Sequence, residues 1–578
     1  KAEAVARKLD AKRLLLFIRS TRVALLAAAK RQEEVLVAGR ELLELVTAQR
    51  ETRLVINTRR AIAGALEAQG DLEGAATEAE KAVADARRNR LRAELAYALT
   101  SLARIRLEQG DNQAALRHAT EGVEAAEIVM GQLSGEEAEG ARAQFALLFD
   151  LGALAAARLD EVDEALRFME SGRAGAMLEQ LGGRDALRWA MQKIPEQLRS
   201  DEKQLMALEQ AARRKYETAV RRRMAPAERK KLGKELDHAV DGVKLVRMRI
   251  RREAMREAGL FYPKAATTEE VQDTLEDTQA MVVYAPVRGE TYATVLTADD
   301  SYLVKLADYT DVQKAMAAAT IESAEATPDA GLEALRALLV KPLKLPKEIT
   351  EVILSPALDL GYVPWGAVFD VPVALAPSAS THTLLHEEDF APATGVLALG
   401  DPDYEGTAAS TRKIYVRGGQ TLSPLPGSRK EVEAIGTTVL LGAAATPMAL
   451  KTALTKQERW RAAHFACHGL VDRNHPALCA LALSQPKDVK EGNGFLTALD
   501  VLGMDVQADL AVLSACETGR GKVVSGEGLR GLARAFMHAG APRVICSLWK
   551  VDDEATRALM VKFYELWNPK EGKGLPPA

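Results

Sequence analysis

Three segments with helical periodicity recur at a fixed interval near the start of this chain. VLVAGRELLELV opens at Val35, AATEAEKAVADA at Ala75 and ALRHATEGVEAA at Ala115, each 40 residues after the last. The second and third follow the turns Gly70-Asp71 and Gly110-Asp111. A fourth segment, EALRFMESGRAGAMLEQL, carries Ala165, 50 residues after Ala115, behind a Leu159-Asp160 turn that has no glycine. Leu99, Leu102 and Ile105 form the apolar face of one helix, while Ala103, Ala115 and Ala119 let helices approach closely. A single helix–turn–helix unit cannot bury such a face, so several must stack. A plain helical bundle is the alternative.

Composition narrows the class. Apolar residues make up 47% and charged residues 27% of 578 positions, which excludes a globally disordered or collagen-like chain. Basic and acidic residues number 77 and 81, so net charge gives no general pull toward nucleic acid or a membrane surface. No apolar run reaches the ~18–20 residues that span a bilayer, and no membrane insertion is expected. The cysteines Cys467, Cys479, Cys516 and Cys546 fall in the last fifth without a CxxC pair. Neither a disulfide scaffold nor a thiolate zinc site is expected. The opening residues lack a signal-peptide cleavage pattern and an initiator Met. They read as a fragment boundary, with the cytoplasm as the expected compartment.

Residues 201–260 hold 17 Lys or Arg against 10 Asp or Glu. They read as a solvated helical hairpin that breaks near Met224-Ala225-Pro226. Nucleic-acid binding is the other reading. Only Tyr216 interrupts the tract, so no aromatic stacking platform is evident.

After Pro263 the period changes. AMVVYAPV and ETYATVLTAD predict a β-hairpin around Arg288-Gly289, with SYLVKLADY as a third strand. Residues 311–340 read as largely helical, interrupted near Pro328. EVILSPA, TGVLALGDPDY, RAAHFACHG, ADLAVLSACETG and PRVICSLW are short apolar runs separated by helical segments, the pattern of a largely parallel sheet. A helix with a capping box from Ser428 to Glu431 is expected among them.

His468 and Cys516 each stand at the carboxyl end of such a run. Neighbouring parallel strands would bring them together, and a cysteine beside an imidazole can ionise to the reactive thiolate. The Gly469 amide, with the Cys516 amide as a second donor, would face a developing oxyanion. From the residues alone, Cys516 can also be a small buried hydrophobe, and a mixed thiol–imidazole metal site stays open. His464 reads as a structural hydrogen-bonding residue. CETGRGKV lacks the spacing of a phosphate-binding P-loop.

HFACHG, LALGDPDY, LPGSRKEVEAI, VLSACETG, GEGLRGLARAFMHAGAPRVICSLWKVDDEAT and FYELW resemble blocks of the CHAT family. These are caspase-like domains associated with tetratricopeptide repeats, in the clan of caspases and separases. The blocks span about Leu275–Trp567, and the repeats resemble tetratricopeptide units of longer period. The resemblance implies a thiol protease with His468 and Cys516 as its dyad and no cofactor or metal. Asp553, four residues after Trp549, resembles a separase aspartate that recognises arginine, with Asp552 as the fallback. The bland reading is that these aspartates cap the helix beginning near Glu554.

The expected architecture is multidomain. Residues 1–185 form an α-helical repeat superhelix, 186–262 a charged helical hairpin or linker, and 263–578 a caspase-like α/β peptidase domain. The expected activity is cleavage of a protein substrate, regulated by a protein partner or by self-association through the repeats. The glycine-containing segment between Thr518 and Gly531 is the expected mobile element of regulation. A non-catalytic scaffold and a nucleic-acid-responsive effector subunit are the alternatives.

Overall fold

The computed structural model describes residues 11–130, 136–180, 194–222, 224–253, 265–319, 327–386, 393–404, 422–470, 479–485, 494–514, 516–517, 527–547 and 552–567. Asp472, Trp549 and most of the segment 518–531 lie outside the described residues.

The 40-residue interval arises from two helices and two turns. The helices are α1 Lys12–Ala28, α2 Gln32–Gln49, α3 Thr52–Ala68, α4 Leu72–Arg88, α5 Arg92–Glu108, α6 Asn112–Met130, α7 Glu136–Arg158 and α8 Val162–Gln180. The first five are 17 or 18 residues long. A left-handed residue closes a helix every 20 positions, at Lys30, Arg50, Gly70, Arg90 and Gly110. Asp160 does the same without glycine, at φ 61°. The next helix is then capped at two of these turns: Asp71 accepts the Gly74 amide at 2.9 Å and Asp111 the Ala114 amide at 3.0 Å. Leu99, Leu102, Ile105, Ala103, Ala115 and Ala119 are all buried between helices. The 50-residue interval contains the 23-residue α7.

The basic tract forms two helices, α9 Glu196–Arg221 and α10 Pro226–Glu253, with Pro226 in the first turn where its missing N–H costs nothing. Arg249, near the end of α10, meets Asp201, near the start of α9, at 3.7 Å, so the pair is antiparallel. The Arg90 guanidinium donates to the Gly233 carbonyl and to Asp237, each at 2.9 Å, and lies 5.3 Å over the Tyr216 ring. The one aromatic of the tract is thus a packing group.

The strands β1 Gln279–Val287, β2 Glu290–Thr297 and β3 Ser301–Lys305 form an antiparallel meander. Arg288 at φ 50° and Gly289 at φ 88° make its two-residue turn, which needs positive φ twice to match the strand twist. The meander packs with the helices. Thr294 Oγ1 reaches Met169 Sδ at 3.7 Å, and Glu290 pairs with Arg158 of α7 and with Lys305. Burial would raise the Glu290 carboxyl, but hydrogen bonds from Lys305, Arg158 and Tyr292 outweigh it and hold the pKa at about 2.

The described parts of residues 1–175, 196–252 and 263–349 form one compact unit; those of 350–578, with short pieces of 176–195 and 253–262, form a second. In the second, β4 Glu351–Ser355 pairs in parallel with β5 Val373–Leu375. Its main sheet is all parallel, in the order β14-β12-β8-β6-β7, from β6 Thr394–Pro402, β7 Thr438–Gly442, β8 Trp460–Ala466, β12 Ala508–Leu513 and β14 Arg543–Cys546. Period-2 alternation sends Ala463, Phe465, Ala511 and Leu513 into one apolar layer, which also holds Phe536 of the helix Glu527–His538. Ala462, Ala466, Leu510 and Val512 face the other layer, with Val432 of the helix Pro426–Ile435 and Tyr564 and Trp567 of the helix Asp553–Trp567. A smaller sheet, β11-β10-β9-β13, is made of β9 His468–Leu470, β10 Ala480–Ala482, β11 Phe495–Thr497 and β13 Cys516–Glu517.

The expected capping box is not formed. Pro426 is the first helical residue, Leu425 is the N-cap and makes no side-chain cap, and Ser428 is already inside the helix. Glu431 is then too deep to reach the helix end and bonds across to the sheet. No described helix is long and apolar enough to cross a membrane.

Candidate active site

β8 and β12 lie side by side in parallel, and both continue into the small sheet after a short break. β8 ends at Ala466, Cys467 intervenes, and His468 opens β9. β12 ends at Leu513, and Cys516 opens β13. β9 and β13 pair in parallel, with Cys516 opposite His468 and Glu517 opposite Gly469. Residues 48 apart in sequence therefore stand beside each other at the carboxyl ends of neighbouring strands, where open α/β sheets carry their ligand sites. Gly469 is also in register with Leu481 of β10.

The His468 ring is held in place. Nε2 lies 2.7 Å from the Ser423 carbonyl oxygen. A carbonyl only accepts, so Nε2 carries the proton and Nδ1 is the basic nitrogen of the neutral ring. Tyr404 packs its ring on the imidazole, with centroids 5.3 Å apart. Its hydroxyl accepts the His468 backbone N–H at 3.3 Å and donates to the Ala482 carbonyl at 3.1 Å. Burial pushes the Tyr404 phenol well above its usual pKa, so it stays neutral.

A small pocket of about 20 Å³ lies beside His468, lined also by Leu425, Ser428, Glu431, Cys467, Ser514, Asp553 and Thr556. The two aspartates have separate tasks. Asp552 Oδ1 accepts the Glu554 and Ala555 amides at 3.1 and 2.9 Å, an N-cap on the helix Asp553–Trp567. Asp553 Oδ2 instead accepts the Gly427 amide at 2.9 Å, at the start of the helix Pro426–Ile435. A Cβ at Gly427 would come within 2.4 Å of that carboxylate, so glycine is required for the contact.

Residues 329–575 match the CHAT domain family. The chain carries a CHAT domain, of caspase-like type, behind tetratricopeptide-like helical repeats. The human Tetratricopeptide repeat protein 28 is 27% identical over 226 residues, 33% of this chain, and the mouse protein of the same name is 26% identical. The match spans 9% of the length of either relative. Among solved structures, BtubC (BKLC) from P. vanneervenii aligns at 16% identity over 46% of this chain and 90% of its own, with TM-score 0.26. The Saccharomyces cerevisiae separase–securin complex aligns at 10% identity over 97% of this chain and 51% of its own, with TM-score 0.32.

Within the CHAT domain, His464 sits on β8 and has its own network. Its Nε2 lies 2.8 Å from Glu431 Oε1, and its Nδ1 is 3.3 Å from the Tyr564 hydroxyl. Both His464 and Glu431 are buried. Burial, and then Glu431, push the Tyr564 phenol far above its usual pKa. The network ties the sheet to both helices that wall the pocket. Cys467 and Cys479 are in the apolar core, and Cys546 packs against it from β14. Sequence reasoning passed over Tyr404, the Ser423 carbonyl and Ser514. Tyr404 was visible as the aromatic ending LALGDPDY, whereas a backbone carbonyl leaves no trace in residue type. Among the described residues no group of three or more His, Cys, Asp or Glu could hold a metal ion.

Proposed function

We propose that this chain is a cysteine endopeptidase that cleaves a protein substrate after a basic residue. The observation that carries the reading is the register of Cys516 against His468, next to a pocket that contains Asp553. In the proposed reaction the Cys516 sulfur attacks the peptide carbonyl carbon, and its proton passes to Nδ1 of His468. The amides of Gly469 and Cys516 donate to the oxyanion of the tetrahedral intermediate. The intermediate collapses as His468 returns the proton to the leaving amine, giving an acyl-enzyme. Water, deprotonated by His468, then releases the acid and restores the thiol. These steps use side chains and amides of the chain itself, with no metal or cofactor.

The polar lining supports the basic preference. Glu431 is engaged with His464, and Asp553, which accepts one backbone amide from Gly427, keeps acceptor capacity for an incoming side chain, with Ser514 beside it. Arginine can use both of its terminal nitrogens on one carboxylate. Asp552 is the helix cap in this scheme. The repeats, from 1 to about 185, hold a regulatory protein or a second copy of the chain, since stacked helix pairs expose an extended face. The hairpin 186–262 connects them to the peptidase region 263–578. A cytoplasmic setting suits a thiol that must stay reduced.

A peptide library varied at P1, with Cys516→Ala and Asp553→Ala beside the wild type, tests the reading. Cleavage after Arg, abolished in Cys516→Ala, is the expected result. The Cys516→Ala protein should still retain substrate, so that a trapped protein can be recovered. Asp553→Ala is expected to lose the Arg preference by about tenfold or more. Wild-type cleavage by Cys516→Ala would overturn the peptidase assignment and leave the scaffold reading. Equal cleavage after small apolar residues by wild type and Asp553→Ala would remove only the specificity assignment.

A further inference from the structure

The helix Ala379–His386, between β5 and β6, carries two imidazoles one turn apart. Residues at this spacing share a helix face. The His382 and His386 rings have centroids 6.1 Å apart and are inclined by 37°. Their backbone is well anchored. Ser378 Oγ accepts the Thr381 amide at 3.0 Å and the Ser378 carbonyl accepts the His382 amide at 3.1 Å. Ala379 and Thr383 bury the adjoining face, with Thr383 Oγ1 donating to the Ala379 carbonyl at 3.2 Å.

The two rings differ in a way that a structural role alone does not require. His382 Nε2 is buried and has no hydrogen-bond partner among the described residues, a rare state for a nitrogen that can accept or donate. An unpartnered imidazole nitrogen has a lone pair to give when the ring is bound to a cation. His386 is exposed, so an ion can arrive from solvent on its side. Two imidazoles one helical turn apart are a chelating pair for borderline first-row cations.

We propose that His382 and His386 form a binding site for a divalent transition-metal ion of the zinc, nickel and copper class. Each ring gives one nitrogen lone pair, and water fills the remaining positions. Because only two side chains are assigned, the site binds more weakly than a closed structural zinc centre. It is separate from the proposed dyad and does not depend on the peptidase reading.

The test uses the untagged full chain with Cys516→Ser, which removes the thiolate as a competing ligand. Zinc chloride is titrated calorimetrically, and copper(II) is added for electron paramagnetic resonance. One ion per chain is expected, with nitrogen coupling from two imidazoles. His386→Asn should weaken zinc binding by about tenfold or more and reduce the copper signal to one imidazole. His386 is exposed, so this variant should fold even if His382→Asn does not. Unchanged zinc affinity and stoichiometry in His386→Asn, or a copper signal without the paired nitrogens, would overturn the proposal.

Discussion

His468→Ala is expected to lower peptide turnover by roughly two to four orders of magnitude in a chain that still folds. The size follows from the two tasks given to one ring in the proposed reaction: it takes the thiol proton and returns it to the leaving amine. The Ser423 carbonyl fixes the proton on Nε2, and the Tyr404 ring limits rotation, so the wild-type imidazole presents Nδ1 without reorganising. Alanine removes the base and leaves the Ser423 carbonyl without its donor. Ser423 is exposed, so water can take the place of the lost donor and the stability cost should be small, which thermal unfolding measured beside kcat/KM will show. The expected signature is a large fall in kcat/KM with a modest fall in Tm. Exogenous imidazole should recover part of the rate, which a purely structural loss would not permit. Wild-type turnover in His468→Ala, with His464→Ala inactive though folded, would exchange the roles of the two histidines.

The parts of the fold that were readable in sequence have a local cause. The repeat interval follows from helix length plus a left-handed turn, and Gly70 and Gly110 mark two of those turns openly. Arg50 and Arg90 take the same conformation without a residue type that announces it. Four of the five strands of the parallel sheet, β6, β8, β12 and β14, were readable as apolar runs because both faces of the sheet are covered, whereas β7 was not singled out and the run at Glu351 belongs to a different sheet. His468 and Cys516 stood out because each follows such a run. Their approach on neighbouring parallel strands was expected, but the residue-by-residue register was not readable: β9 and β13 are three and two residues long, and tertiary context sets it. Glu431 was misassigned for a related reason. The Ser428–Glu431 spacing is a local signal, but Pro426 starts the helix earlier and the buried His464 supplies a stronger partner. The hairpin residues after Pro263 read as the start of the α/β region, and their packing instead joins them to the helices through Glu290 and Thr294.

Glu431→Ala is expected to destabilise the CHAT region by about 1–3 kcal/mol, the usual cost of leaving a buried hydrogen-bonding group without its partner. Glu431 is 1% exposed and His464 fully buried, so water cannot replace the lost oxygen. The loss spreads because three elements meet at this point: the helix Pro426–Ile435 carries Glu431, β8 carries His464, and the last helix carries Tyr564. Two of those elements wall the pocket, through Ser428 and Asp553. Glu431→Gln separates charge from shape, since an amide keeps the volume and one hydrogen bond. It should retain more stability than alanine, by about 1 kcal/mol or more. Urea unfolding reports the overall loss, and hydrogen exchange at β8 and at the helix Pro426–Ile435 reports where it falls. Exchange should accelerate in both elements together in Glu431→Ala. Exchange confined to the helix, or a stability within about 0.5 kcal/mol of wild type, would mean that apolar packing alone holds the sheet to its covering helices. Joint acceleration would identify this carboxylate–imidazole–phenol chain as what keeps the pocket walls aligned with the ends of β8 and β12.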